Sequence, residues 1–63
     1  MKEELVNTLK LLHYQMAQHI EAYHLAHIEN ADASIIRSMR SQIAFLREEI
    51  DRLESVLLEE SAH

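Results

Sequence analysis

Cysteine is absent from this chain of 63 residues, and so are glycine and proline. Without cysteine the protein forms neither disulfides nor thiolate metal sites, which often stabilise chains this short. Tight β-turns depend heavily on glycine and proline, so the absence of both argues against a β-rich fold. Strong helix formers such as leucine, alanine, glutamate and arginine dominate instead. The composition therefore predicts an all-α protein that gains stability by association.

Long apolar runs and an excess of positive charge are missing as well. The net charge is −5 at neutral pH, which is a poor match for nucleic acid or an anionic membrane. No stretch approaches the roughly 20 apolar residues of a membrane span, and residues 1–4 are too acidic for a signal peptide. Cysteine nucleophiles, glycine-rich phosphate loops and His-Glu-x-x-His motifs are all lacking. We therefore expect a soluble, cytoplasmic, non-enzymatic protein of one domain (residues 1–63), without a cofactor and without a membrane partner.

Apolar residues recur through residues 34–60 at alternating spacings of three and four. This is the heptad pattern of a helix that packs against another helix, with Ile or Leu at one core position and Met or Leu at the other. Glu48 and Arg52 are spaced i, i+4 in the favourable order, so we expect them to form a surface ion pair. The core positions of this second helix are predicted to be Ile36, Met39, Ile43, Leu46, Ile50, Leu53 and Leu57.

Residues 3–29 carry another apolar stripe, with the 3.6-residue period of an α-helix. Its C-terminal half is more polar than its N-terminal half, because histidine and tyrosine replace isoleucine and leucine there. The core positions of this first helix are predicted to be Leu5, Leu9, Leu12, Met16, Ile20 and Tyr23, and His27 continues the stripe.

The two stripes do not share one register, because extending the first past residue 26 places arginines at core positions. The break falls between residues 28 and 35. Asn30 can take the left-handed conformation that ends a helix, and Asp32 or Ser34 can cap the next one. This predicts an antiparallel helical hairpin, with a bent continuous helix as the alternative. Two helices cannot shield both stripes from water, so we also expect two hairpins to pack into a dimeric four-helix bundle.

Five residues of the first helix form a second line that faces away from the core. An exposed apolar line with an aromatic residue is typical of a docking surface. It predicts a small protein-binding module, such as a regulator, inhibitor, adaptor or chaperone-like subunit, that partners with itself and with another protein. The alternatives are ordinary surface exposure of single side chains and burial in a higher oligomer. We name this line the outer stripe, and it comprises Leu11, Tyr14, Gln18, Ala22 and Leu25.

Four of the five histidines cluster in the first helix, between residues 13 and 27. Glu21 and His24 form the Glu-x-x-His pair that di-metal helical bundles use. However, Glu21 projects away from the core stripe, and the second helix has no acidic residue at a core position. We therefore predict no metal site. The alternative role is a pH response, since protonation of all five histidines would move the net charge from −5 to 0.

Arg37, Arg40 and Arg47 gather on one side of the second helix. We expect them to pair with acidic residues of the first helix, or with Glu48 and Asp51 of their own. A phosphate-binding strip is the alternative, because arginine forks match phosphate oxygens.

The plan of helix, short loop and helix, together with the chain length and the Asn-Ala-Asp joint at residues 30–32, resembles the Rop family of plasmid copy-number regulators. The resemblance implies a dimer of hairpins that binds paired RNA loops through the outer face of the first helix. Tyr14 and Gln18 match the family's aromatic and glutamine one turn apart, and Lys10 extends the match by a turn. The sequence departs from the pattern at Leu25, where a cation is expected, and in the two glutamates near its beginning. RNA binding is therefore the alternative function.

Overall fold

The chain folds into two antiparallel helices joined by a short connection, in a computed structural model that describes residues 2–61. Helix α1 spans Lys2–Ile28 and helix α2 spans Ala33–Ser61. Together they form a rod of 49 × 15 × 12 Å. The predicted all-α hairpin is confirmed, and each helix boundary lies within one residue of its expected position. Across residues 2–61, neither helix combines the length and the apolar character needed to cross a membrane.

Helix α1 ends in a Schellman motif centred on Asn30. Asn30 has a φ of 58°, in the left-handed region that asparagine tolerates better than most residues. Its N–H donates to the carbonyl of His27 at 3.2 Å, and the N–H of Ala31 donates to the carbonyl of Ala26 at 2.9 Å. These two hydrogen bonds satisfy the last carbonyls of α1 and reverse the chain direction without glycine.

Helix α2 starts directly after Asp32, whose carbonyl accepts hydrogen bonds from the N–H groups of Ile35 at 3.0 Å and Ile36 at 3.1 Å. Asp32 therefore holds the capping position, and Ser34 lies inside the first turn. An acidic residue at this position also interacts favourably with the positive end of the helix dipole.

The seam between the helices follows a seven-residue repeat in both of them. In α2 the less exposed positions include every predicted core residue. In α1 the pattern differs from the expected one, because His19 and Ala26 are half-buried while Ile20 is 36% exposed and His27 is exposed. Two long helices that stay in contact supercoil, so their contact positions repeat every 3.5 residues. A wheel drawn for a straight helix uses 3.6 residues per turn and drifts from these positions by about 20° per heptad. The seam residues of α1 are Leu5, Leu9, Leu12, Met16, His19, Tyr23 and Ala26.

Full burial is rare in this hairpin. Among residues 2–61 the buried side chains are Leu9, with 7% of its surface exposed, and Ile50, with 3%. The other seam residues of both helices are half-buried. Since a fully buried core residue is surrounded by side chains on every side, most of this seam is covered from one direction and open from another.

Candidate functional site

The outer stripe lies on the side of α1 that faces away from α2. Its three large apolar side chains are strongly exposed: 56% for Leu11, 62% for Tyr14 and 49% for Leu25. Gln18 and Ala22 are exposed between them. The structure therefore places all five residues of the outer stripe at the molecular surface.

Two further features extend the outer stripe. The Nε2 atom of Gln18 donates a hydrogen bond of 3.2 Å to the hydroxyl oxygen of Tyr14, which orients both side chains along the helix. Ile28 follows Leu25 by three residues and is 74% exposed. The sequence reasoning missed Ile28 because it stopped at Leu25, although the i, i+3 spacing signals that the line continues.

A second apolar surface, which we call the Phe45 face, lies on one side of the rod where α1 and α2 meet. A groove of about 380 Å³ runs there between His19 of α1 and the side chains of Ser38, Ser41, Gln42, Phe45 and Leu46. Val56 follows Phe45 by three helical turns, so it lies on the same side of α2. It lines a second groove, together with Glu4, Leu5, Thr8, Leu53 and Glu60. The exposed apolar residues of this face are Ile35, Phe45 and Val56.

The charge of Glu49, near Phe45, is neutralised within α2. Arg52 donates two hydrogen bonds, of 2.8 and 2.7 Å, to the two carboxylate oxygens of Glu49. The expected Glu48–Arg52 pair is thus replaced by an i, i+3 pair. Glu49 is half-buried, and both its oxygens accept from the one Nη2 atom of Arg52, so its charge is not left unpaired on this side.

The opposite side of the rod, which we call the Arg40 face, is polar near the turn. The hydroxyl oxygen of Tyr23 accepts hydrogen bonds from Nε of Arg40 at 3.3 Å and from its Nη2 at 3.0 Å. The Tyr23 ring meets the His27 ring edge-on, with 4.6 Å between the ring centres and 86° between the planes. The His24 ring lies 6.0 Å from the same tyrosine. Tyr23 therefore joins the seam to a cluster of cationic and imidazole groups.

A groove of about 280 Å³ opens beside this cluster, at the end of α1 and the start of α2. Its lining contains two arginines and a histidine but no carboxylate, and it consists of His27, Ala33, Ile36, Arg37 and Arg40. The groove is therefore a cationic concavity on an otherwise acidic chain.

The expected pairing of the arginines with acidic residues is wrong for Arg37, Arg40 and Arg47. In the part of the chain that the structure describes, the ion pairs are Arg52–Glu49, at 2.7 Å, and His13–Glu54, at 3.6 Å when His13 is protonated. Arg40 reaches across to the hydroxyl of Tyr23 on the other helix instead.

The histidines do not converge. His19 lies in the seam, His13 faces Glu54, and His24 and His27 flank Tyr23. His63 is outside the described residues. Within residues 2–61 no group of three or more histidine, aspartate or glutamate side chains is placed to hold a metal ion. A pH response of the histidines remains a prediction.

Comparison with protein-family models, curated proteins and solved structures finds no match to this chain. The resemblance to the Rop family therefore depends on the residues quoted above. Of these, Tyr14 and Gln18 do lie in contact on an exposed face. Function has to be inferred from the three surfaces: the outer stripe, the Phe45 face and the Arg40 face.

Proposed function

We propose that this protein is a small, non-enzymatic binding module that docks a protein partner on the outer stripe of α1. One observation supports this most directly: Leu11, Tyr14 and Leu25 are 49–62% exposed in a single line, on the side of α1 turned away from its own partner helix. Continuous apolar lines of this kind are uncommon on surfaces that bind nothing. Tyrosine is also enriched at the energetic centres of interfaces.

The partner that best fits the outer stripe is an amphipathic helix. The stripe advances by three and four residues, as a helix-packing seam does, and Ile28 continues it by a further three. The small side chain of Ala22, which is exposed, leaves space in the middle for a larger side chain of the partner. Glu21 is exposed beside the stripe, so basic residues flanking the partner's apolar face would be complementary in charge.

The test is affinity capture from the native host with a double variant, Leu11→Glu plus Tyr14→Glu. Both residues are exposed, so we expect the helical circular dichroism to be preserved and the captured protein to be lost. The matched control is Leu58→Glu, because Leu58 is 70% exposed but lies on α2. Capture of the same proteins by the double variant and by the wild type would contradict the proposal.

RNA binding of the Rop type is the second candidate, and the contact between Tyr14 and Gln18 favours it. It requires Lys10 and Gln18 to contact RNA, and the affinity should fall steeply with salt because phosphate contacts release counterions. A mobility shift on structured RNA that Lys10→Gln and Gln18→Ala abolish would support this candidate. The absence of any shift at low salt would exclude it.

We further propose that two hairpins associate into a four-helix bundle. The accessible surface is 5090 Å² for a chain of 7.4 kDa, whereas a compact monomer of that mass exposes about 4,200 Å². The excess of about 900 Å² is close to the roughly 800 Å² that each partner buries in a standard interface. Half-buried seam residues would supply the apolar part of that contact.

The Phe45 face is the better candidate for this association. It exposes Ile35, Phe45 and Val56, and Glu49 beside Phe45 is paired with Arg52, while Glu4 and Glu60 lie at the far end beside Val56. The Arg40 face carries arginines without ion-pair partners in the described chain, and burial of such charges costs several kcal/mol each. Association through the Phe45 face therefore covers apolar surface and leaves the arginines in water.

Single cysteine variants can test this choice cleanly, because the chain has no cysteine of its own. Gln42 and Ala44 are both exposed near the middle of α2, on the Phe45 side and on the opposite side respectively. We expect Gln42→Cys to form a disulfide-linked dimer under mild oxidation much faster than Ala44→Cys. Faster linkage of Ala44→Cys would place the interface on the Arg40 face, and a monomeric mass at all concentrations would exclude the dimer itself.

A further inference from the structure

The Arg40 face is positively charged near the turn, whereas the chain as a whole is negatively charged. The chain has 11 acidic residues against six lysines and arginines, yet three of those six lie along this side of α2. Two of them, Arg37 and Arg40, line the same groove with His27. A local cationic groove on an acidic protein attracts anionic ligands.

The guanidinium groups at this groove have unused hydrogen-bond donors. Each arginine carries five N–H donors, and Arg40 uses two of them on the Tyr23 hydroxyl. In the described part of the chain, neither Arg37 nor Arg40 forms an ion pair, and no other side-chain acceptor bonds to them. These donors are free to bind an anion.

Tyr23 holds one of these groups in place. Its ring is half-buried in the seam and packs edge-on against His27, so its hydroxyl is a fixed acceptor at the groove. Two hydrogen bonds from Arg40 to that hydroxyl hold the guanidinium at the groove before any ligand arrives. An anion that binds there loses less affinity to side-chain ordering than it would at a free arginine.

The backbone adds to the same potential. Helix α2 begins at Ala33, which lines the groove, so the positive end of its dipole lies at the same place, where the carboxylate of Asp32 at the capping position offsets part of it. The first turn of α2 contains no acidic residue. The nearest acidic residues in sequence are Asp32 and Glu29 in the connection and Glu21 in α1, and none of them is among the lining residues.

We propose that this groove binds a phosphate monoester dianion, which Arg37 and Arg40 hold from two sides. Two arginine forks match the three terminal oxygens and double charge of such a group. The groove is short, and Asp32 and Glu29 stand just before its lining residue Ala33 in the sequence, which favours a compact anion over an extended polyanion such as RNA. The group is either free phosphate or the phosphate of a phosphorylated side chain, since both present the same oxygens.

The test is a titration of the isotopically labelled full chain, followed by amide NMR at constant ionic strength. Three probes are compared: inorganic phosphate, a short peptide with one phosphoserine, and the same peptide without phosphate. We expect saturable shifts of the amides of Ala33, Ile36 and Arg37 with the first two probes and none with the third. Tighter binding of the phosphopeptide than of phosphate would identify a side-chain source, and equal affinity would identify free phosphate.

Variants separate a specific site from general charge. Arg37→Gln and Arg40→Gln should each weaken binding by about tenfold or more, which corresponds to roughly 1.4 kcal/mol. Tyr23→Phe should weaken phosphate binding less, because it keeps the aromatic ring and removes only the hydroxyl that accepts from Arg40. Arg52→Gln is the matched control, since Arg52 is bound to Glu49 elsewhere on α2, and it should leave the affinity unchanged.

Three results would overturn the proposal. The first is the absence of saturable shifts up to tens of millimolar phosphate. The second is an equal loss of affinity in Arg52→Gln, which would show that net charge alone matters. The third is tighter binding of a structured RNA through the same amides, which would assign the groove to a polyanion.

Discussion

Replacement of Phe45 by alanine should weaken self-association far more than it weakens the fold. Phe45 is 65% exposed in the single hairpin, and a phenylalanine side chain buries on the order of 200 Å² when it is fully covered. About 130 Å² of its surface is therefore available to a second copy. At about 25 cal/mol per Å², covering it contributes about 3 kcal/mol per side chain.

A symmetric dimer contains this side chain twice, so the loss amounts to about 6 kcal/mol if both rings are fully covered. Since each 1.4 kcal/mol is a factor of ten, the dimer dissociation constant should rise by up to about ten-thousandfold. Partial coverage at the rim of the interface would reduce the change, and we expect it to remain at least about a hundredfold.

Sedimentation equilibrium over a dilution series measures this constant directly. The matched control is Leu58→Ala, because Leu58 is 70% exposed on the Arg40 face, and it should change the constant by less than about threefold. An equal effect of the two variants would refute the assignment of the interface to the Phe45 face. A wild-type mass that stays monomeric throughout would refute dimerisation altogether.

Substitutions at three further positions test the fold. Ile50→Ala removes a side chain that is 3% exposed, so urea denaturation should show a loss of about 2–5 kcal/mol, and a loss below about 1 kcal/mol would contradict its burial. His19→Leu puts an apolar side chain at a half-buried seam position, so the melting temperature should rise by about 4–8 °C for each kcal/mol gained; a lower melting temperature would show that His19 makes a stabilising contact. Asn30→Val places a branched residue at a φ of 58°, so thermal melts should show a loss of about 1–2 kcal/mol, whereas Asn30→Gly should be neutral or stabilising.

Helix α2 and the turn could be predicted because their determinants are local. The heptad of α2 is strictly apolar, so a single helix wheel already identifies its buried side. The turn needed one residue able to adopt a left-handed conformation where the two registers part, and Asn30 stands at that point. Neither inference required knowledge of how the two helices pack against each other.

Five of the six predicted core residues of α1 lie in the seam. Its course at His19 and Ile20 could not be predicted in the same way, because hydropathy and geometry disagree there. Hydropathy selects Ile20 over His19, whereas the supercoil that keeps two long helices in contact places His19 on the seam. The error appears in the polar half of the helix, where few apolar residues constrain the choice. Supercoiling depends on both helices together, so it cannot be inferred from the sequence of one helix.

The partners of the arginines were also beyond sequence reasoning. Spacing suggested Glu48 for Arg52, yet Glu49 binds it through both oxygens. Arg40 was expected to find a carboxylate and instead contacts Tyr23, which is 17 residues away in sequence. A long side chain can reach several acceptors at similar cost, so the selection depends on rotamers and on the facing helix.

The uneven seam has a consequence for how the hairpin opens. Leu5, Leu9 and Leu12 fill the seam of α1 far from the turn, whereas His19 and Ala26 occupy it near the turn. Backbone amides close to the turn should therefore exchange with solvent hydrogen sooner than those around Leu9, despite their proximity to the covalent connection, because local opening is easiest where apolar packing is sparse. The groove lined by Arg37 and Arg40 lies in this less tightly packed half. An anion bound there would stabilise the closed hairpin and slow hydrogen exchange of the amides near the turn.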